Sequence, residues 1–127
     1  MIIGSEINGK AWVTSNGHEL IQILYRDIVK IYSDGKYNYC KTKENKYKIK
    51  GKLYELEELD DNFIRISKKC IVNIIHVKIF DIGETGKIII RLDDDTEEIV
   101  SRRKMRLYYP IFRPKEDMIY AEITIYL

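Results

Sequence analysis

The chain has 127 residues, of which 45% are hydrophobic and 33% are charged, and its formal net charge is +2. This length is enough for a single domain that buries its own core without a structural metal or disulfides. The small net charge excludes strong attraction of a polyanion by the molecule as a whole. A nucleic-acid function would therefore depend on where the cations are concentrated, not on their number.

Two isolated cysteines, Cys40 and Cys70, lie in apolar strand-like segments and have no CxxC spacing. This pattern predicts buried free thiols and suits a reducing cytoplasm. No apolar run approaches the length of about 20 residues that a membrane helix needs. The first six residues, MIIGSE, lack the features of a signal peptide. We therefore expect a cytoplasmic protein without a membrane partner.

Short strand-like segments separated by turn signals make up most of the first half of the chain. Residues 12–13 precede the turn signal Ser15-Asn16-Gly17, and residues 19–24 and 27–32 form the next two segments. Asp34-Gly35 then indicates a hairpin, because glycine adopts positive φ at little cost.

A single short helix is predicted over residues 53–59. Leu53, Leu56 and Leu59 recur at helical spacing, and glutamates occupy the remaining faces. A helix of this length is marginal alone, so its leucine stripe must pack on a sheet.

Two basic turns interrupt strand-like segments in the second half of the chain. Ser67-Lys68-Lys69 separates residues 63–66 from residues 70–73, and Ser101-Arg102-Arg103 follows the apolar pair Ile99-Val100. Turns that carry paired cations and a hydroxyl indicate a β scaffold that presents positive charge to a polyanion. The acidic run at residues 93–95 lacks the ligand spacing of a calcium loop and is interpreted as a solvated turn.

The order and spacing of these residues resemble the LytTR-type DNA-binding domain family. The resemblance rests on a Phe-x-Arg strand at residues 63–65, a polar or basic turn, the strand end Val72-Asn73, and the later Val100-Ser101-Arg102. It covers residues 18–109. Residues 1–17 then form an N-terminal extension that includes the first strand. Residues 110–127 form a C-terminal extension, in which apolar alternation predicts one more strand.

The resemblance implies a mainly β fold, an elongated stack of small antiparallel β-sheets with one or two short helices. Loops between strands, not a recognition helix, would enter the grooves of the DNA. The implied function is sequence-specific binding of double-stranded DNA by a domain of a bacterial transcription regulator. The implied target is a pair of imperfect direct repeats that bend on binding, and a homodimer on the DNA is compatible with this arrangement.

The resemblance also implies individual roles for residues in the loops. By position, Lys36, Lys68 and Arg102 would contact bases, and an arginine can pair its planar fork with O6 and N7 of guanine. Lys69, Arg103, Arg65 and Ser101 would contact the DNA backbone. In the loop after Gly35, Tyr37 or Asn38 could take the place of Lys36.

Each of these residues also has a plain structural interpretation. Lys36 would lie in an ordinary hairpin turn, and Lys68 and Lys69 would only increase the solubility of the protein from an exposed turn. Arg65 would form a surface ion pair, and Arg102 would do the same at the start of a helix. Ser101 would cap that helix, which is predicted over residues 102–109.

No catalytic motif is recognisable in the chain. His18 and His76 are far apart, and no nucleophile elbow, metal-binding HExxH or phosphate loop occurs. We therefore expect that the protein is not an enzyme and that it has no cofactor, no metal and no small-molecule substrate.

Two alternative functions come from other classes of protein. One is an interaction module that adds residues 118–127 to a partner's sheet. The other is a single-stranded RNA binder that stacks bases on its tyrosines, although most of the tyrosines are interpreted as core.

Overall fold

The computed structural model describes residues 9–83 and 87–101. Within these ranges the chain forms ten strands, one short α-helix and three single-turn 3-10 helices. All the strand pairs are antiparallel, which confirms the predicted mainly β fold. The helix predicted over residues 102–109 and the strand predicted at residues 118–127 lie outside the described residues.

Seven of the strands form one large sheet in the order β2-β1-β5-β4-β3-β7-β6. These strands are β1 (Lys10–Thr14), β2 (Ile21–Leu24), β3 (Lys30–Asp34), β4 (Tyr37–Lys41), β5 (Lys46–Ile49), β6 (Phe63–Ser67) and β7 (Cys70–Asn73). The other three strands form a small sheet in the order β10-β9-β8. They are β8 (Val77–Ile82), β9 (Ile88–Leu92) and β10 (Glu97–Val100).

The predicted helix is present as α1 (Leu53–Leu56), which continues into a 3-10 turn at Glu57–Leu59. Leu53 and Leu56 are buried, as their spacing predicted, whereas Leu59 is 37% exposed. The backbone N–H of Lys52 donates to the Glu55 carboxylate at 2.9 Å and closes the first turn. The helix packs against one face of the large sheet through its two buried leucines.

Two hydrophobic cores lie on opposite faces of the large sheet. The first core joins α1 to residues from across the sheet, including Val13, Ile31 and Ile71. The second core joins Ile64, Ile66, Cys70 and Val72 of β6 and β7 to the small sheet, which contributes Ile88, Ile90 and Leu92. The small sheet therefore covers only one end of the large sheet. The same face of β1, β5 and β4 stays open, and Trp12 and Tyr37 on it are 57% and 52% exposed.

The interpretation of most tyrosines as core residues is correct only in part for the described residues. None of Tyr25, Tyr32, Tyr37, Tyr39, Tyr47 and Tyr54 is fully buried, and Tyr54 is 59% exposed. Alternation did place several of them opposite apolar neighbours. Tyr25 and Tyr47 pack against the core under α1, and Tyr32 packs against the other core. Tyr37 and Tyr39 lie on the face that the small sheet leaves partly uncovered.

The interpretation of residues 93–95 as a solvated turn is also wrong in part. These residues do form a turn between β9 and β10. However, the side chain of Asp94 is 0% exposed, and its carboxylate lies 2.8 Å from the Lys41 ammonium of the large sheet. Asp93 pairs with His76 at 2.9 Å, and Asp95 pairs with Lys78 at 3.4 Å. Asp94 thus joins the two sheets at this end, whereas Asp95 pairs within the small sheet and Asp93 pairs with the 3-10 turn that precedes it.

The two cysteines are buried and unpaired, as predicted. Burial raises the pKa of the Cys40 thiol to about 12, so this thiol stays protonated at neutral pH. Burial raises the pKa of Cys70 in the same way. No helix in residues 9–83 and 87–101 is long and apolar enough to cross a membrane.

Candidate nucleic-acid interface

Three segments that carry predicted site residues meet at one end of the molecule. The backbone N–H of Ser33, near the end of β3, donates to the carbonyl of Lys69 in the β6–β7 turn at 2.9 Å. The N–H of Ser101, directly after β10, donates to the carbonyl of Ile66 at 2.9 Å. We call this region the loop end and define it by residues 35–36, residues 67–69 and Ser101.

The β3–β4 hairpin projects Lys36 at the loop end. Asp34 pairs with Tyr37, so that only Gly35 and Lys36 form the turn. Gly35 has a φ of +64°, a value that a residue with a side chain rarely adopts. Glycine at the first of two turn positions is typical of a tight hairpin. The predicted hairpin is therefore present, with Gly35-Lys36 as its two turn residues and Asp34 in the ladder. Lys36 follows at the tip, where it is exposed.

The β6–β7 turn is held in place by Arg65. The Nε atom of Arg65 donates to the Ser67 carbonyl at 3.0 Å, and Nη2 donates to the Lys68 carbonyl at 2.6 Å. The pairing of β6 with β7 is irregular between Arg65 and Ser67, directly before the turn that the arginine contacts. Lys68 and Lys69 are both exposed at the turn. The guanidinium of Arg65 thus contacts the backbone of the turn, and no carboxylate within residues 9–83 and 87–101 forms an ion pair with it.

The end of β10 brings Ser101 to the same place. Ser101 is partly buried, and its backbone bond to Ile66 fixes the point at which the chain leaves the small sheet. Arg102 and Arg103 lie outside the described residues.

A chain of side-chain hydrogen bonds lies next to the β3–β4 turn and restricts the movement of the loop end. The Ser33 hydroxyl donates to Asn38 Oδ1 at 2.5 Å, and Asn38 Nδ2 donates to the Gly51 carbonyl at 2.6 Å. The bonds connect β3, β4 and the segment that follows β5. Sequence reasoning missed this chain, although the hairpin register puts Ser33 directly opposite Asn38. Because both ends of its amide are engaged, Asn38 is less suited than Lys36 to contact a partner.

Asn73, the last residue of the Val-Asn strand end, has a structural role. Its side chain is buried, and its Nδ2 donates to the carbonyls of Ile28 and Tyr25 at 2.9 and 3.2 Å. Its Oδ1 accepts from the N–H of Ile75 at 3.3 Å. A buried amide with all these partners ties the end of β7 that lies away from the β6–β7 turn to the segment before β3.

The cations at the loop end are not neutralised by the described part of the chain. Lys36, Lys68 and Lys69 form no ion pair within residues 9–83 and 87–101, whereas Lys30 and Lys41 pair with Glu98 and Asp94 between the two sheets. Positive charge without a protein partner, on exposed loops, favours contact with an anion. Within the same ranges no group of three or more His, Cys, Asp and Glu residues could hold a metal ion.

Comparison with known proteins agrees with this geometry. The sequence profile of the LytTr DNA-binding domain family matches residues 18–109. The chain belongs to the LytTr DNA-binding domain family. β1 lies before the matched residues, yet in this LytTr domain it is an inner strand of the large sheet, between β2 and β5.

A solved structure of a LytTr DNA-binding domain from a Bacillus cereus response regulator superposes on the chain with a TM-score of 0.73. The two sequences are 21% identical, and the superposition covers 82% of this chain and 98% of the other. At this identity the likeness shows the fold. A comparison with curated proteins gave no match.

Proposed function

We propose that this LytTr domain binds double-stranded DNA sequence-specifically in a bacterial transcription regulator, and that its loop end reads the bases. The observation that carries the proposal is the convergence of the β3–β4 hairpin, the β6–β7 turn and the end of β10. Each of the three presents a cation or leads directly into one. A β scaffold with basic loops can enter the grooves without a recognition helix.

Lys36, Lys68 and Arg102 are the proposed base contacts. The structure supports the first two by their exposure at turns of fixed geometry. Arg102 is the best suited to discriminate between bases, since its planar fork matches two acceptors on guanine. Lysine is a flexible point charge, so Lys36 and Lys68 would discriminate less.

Lys69, Arg103 and Ser101 are the proposed contacts to the DNA backbone. Such contacts hold the protein in register on the duplex and carry no sequence information themselves. Arg65 was predicted in this group, and its side chain is partly exposed. Two of its nitrogens already donate to the turn, so its main contribution would be to shape the backbone that carries Lys68 and Lys69.

The same proposal includes a target of imperfect direct repeats, which bend when the domain binds. It also includes two copies of the domain side by side on the DNA and a location in the cytoplasm. Bending a site of this size costs on the order of a few kcal/mol and needs contacts in more than one groove. Three loops at one end of the molecule can supply such contacts.

The test begins with selection of a preferred duplex from a randomised pool by the wild-type domain. The domain is then titrated with this duplex at several salt concentrations, and single-stranded DNA and RNA are added as competitors. With four to six phosphate contacts, log K against log salt should have a slope of roughly −4 to −5. A flat salt response would rule out DNA as the partner. Stronger competition by single-stranded RNA than by duplex DNA would favour the RNA alternative.

The placement of the site is tested with a matched pair of lysines. Lys68→Ala should weaken binding of the selected duplex about tenfold, because it removes a cation from the loop end. Lys78→Ala is the control, since Lys78 is also exposed but lies on β8 of the small sheet, outside the loop end. Equal effects of the two changes would contradict a site at the loop end.

A further inference from the structure

The open face of the large sheet carries a row of lysines that the loop end does not include. Lys46, Lys48 and Lys50 alternate with Tyr47 and Ile49 along β5 and just beyond it. Tyr47 and Ile49 belong to the core under α1, so the three lysines point to the other face. All three are exposed, and consecutive members are about 7 Å apart along the strand.

Among the described residues, these lysines differ from their neighbours in having no carboxylate partner. On the same face, Lys30 and Lys41 pair with Glu98 at 2.7 Å and Asp94 at 2.8 Å, both supplied by the small sheet. The small sheet does not reach β5. In the described part of the chain, Lys46, Lys48 and Lys50 form no ion pair, so this face keeps three positive charges close together.

Tyrosine rings hold two of the ammonium groups on the face. Lys48 Nζ lies 4.0 Å from the centre of the Tyr37 ring, and Lys46 Nζ lies 4.2 Å from the centre of the Tyr39 ring. Such contacts restrict a lysine without neutralising it. They also cover the ring faces, so that bases could stack there only by displacing the lysines. The arrangement therefore suits phosphates better than unpaired bases.

The row begins beside the loop end. Lys50 precedes Gly51, whose carbonyl accepts the bond from Asn38 behind the β3–β4 hairpin. Lys50 and Lys48 also line a groove of about 440 Å³ together with Tyr37 of the same hairpin. At the far end, Lys46 pairs with Lys41 in the register of β4 and β5. A DNA strand that leaves the loop end on this side would meet Lys50, Lys48 and Lys46 in turn.

We propose that Lys46, Lys48 and Lys50 form a phosphate track on the open face of β5 that binds the backbone of the DNA held at the loop end. This inference rests on the proposed function and assigns a second contact surface to it. Phosphate contacts carry no base information, so the track would add affinity equally for any sequence. Contacts on a face that leads away from the loop end would also stabilise a bent duplex.

The decisive variant removes the two charges farthest from the loop end, Lys46→Gln with Lys48→Gln. The slope of log K against log salt should become shallower by about 0.9 for each lysine, equally on the selected duplex and on a scrambled duplex of the same length. The matched control is Lys78→Gln with Arg91→Gln, which removes the same charge from exposed positions on the small sheet. The control should leave the slope within about 0.3 of the wild type.

A charge-preserving variant, Lys46→Arg with Lys48→Arg, should retain the wild-type slope, which separates charge from side-chain shape. If the Gln variant and the wild type had equal slopes of log K against log salt, the proposed phosphate track would be wrong, and the proposed site at the loop end would be unaffected. Loss of single-stranded binding alone, with duplex binding unchanged, would overturn it in favour of a stacking surface. If the wild type itself bound no duplex, the proposed function would be refuted. Binding of the selected duplex by the wild type therefore tests the proposed function, and the lysine variants test only the track.

Discussion

At the scale of single residues, the β6–β7 turn depends on one arginine. Arg65 donates from two nitrogens to the carbonyls of Ser67 and Lys68, and no other side chain in the described residues binds these two carbonyls. A planar fork with several fixed donors can satisfy both acceptors at once, whereas an ammonium cannot reproduce that geometry. The turn that carries Lys68 and Lys69 is therefore shaped by a residue of the preceding strand.

Arg65→Lys tests whether Arg65 positions the turn or contacts phosphate. If it positions the turn, Arg65→Lys and Arg65→Ala should lower affinity for the selected duplex to a similar extent, since neither makes the two bonds. The free energy of unfolding in urea should fall by about 1 kcal/mol in both variants, because the site is partly exposed. The salt slope should stay at the wild-type value. A lysine that restored wild-type affinity, together with a shallower slope for Arg65→Ala, would identify a phosphate contact instead.

At the scale of elements, local signals in the sequence were enough to predict several features. The Asp34-Gly35 hairpin, the helix that begins at Leu53 and the turn at residues 67–69 each depend on residues within one turn of the chain. The burial of the two cysteines also followed from their apolar neighbours. Each of these features is decided by near neighbours, which the sequence displays directly.

Features decided by distant contacts could not be predicted in the same way. Asp94 is buried because the β9–β10 turn meets Lys41 of the large sheet, a pairing that no local pattern indicates. Tyr37 is exposed because the small sheet reaches β4 at Lys41 and leaves the other end of that strand uncovered. The convergence of the hairpin, the β6–β7 turn and Ser101 likewise depends on strand order, and only the family resemblance anticipated that these loops act together.

Asp94 makes the junction of the two sheets sensitive to acid. Burial alone would raise the pKa of the Asp94 carboxyl, but hydrogen bonds from Lys41 and Thr96 outweigh it, and the net effect lowers this pKa. A lowered pKa in the folded state stabilises the fold above the ordinary aspartate value of about 3.9. This contribution is lost as the pH falls through the lower folded-state pKa.

Asp94→Asn should therefore destabilise the domain at pH 7 and should make its stability less dependent on pH between about pH 5 and pH 3. The measurement is urea unfolding at a series of pH values. Asp95→Asn is the matched control, because Asp95 is in the same turn with its side chain 81% exposed, and asparagine tolerates its positive φ. A pH profile for Asp94→Asn that matches both the control and the wild type would show that the carboxylate does not stabilise the junction.

At the scale of the whole molecule, the formal charge of +2 conceals an uneven distribution. Acidic residues of the small sheet neutralise the lysines that face it, and the loop end and the open face of β5 keep their cations. A domain of this kind binds DNA through local concentrations of charge and not through its total charge. The alternative of a protein-interaction module would not need cations to be grouped in this way.

The central claim, that the loop end reads bases, is tested most directly by comparing Arg102→Ala with Lys69→Ala on the selected duplex and on a scrambled one. A paired guanine contact contributes about 1–3 kcal/mol to discrimination, so Arg102→Ala should weaken the selected duplex by that amount and barely change binding to the scrambled one. Lys69→Ala should weaken both duplexes alike and make the salt slope shallower by about one. Equal losses on both duplexes for Arg102→Ala would contradict the claim and make Arg102 a backbone contact.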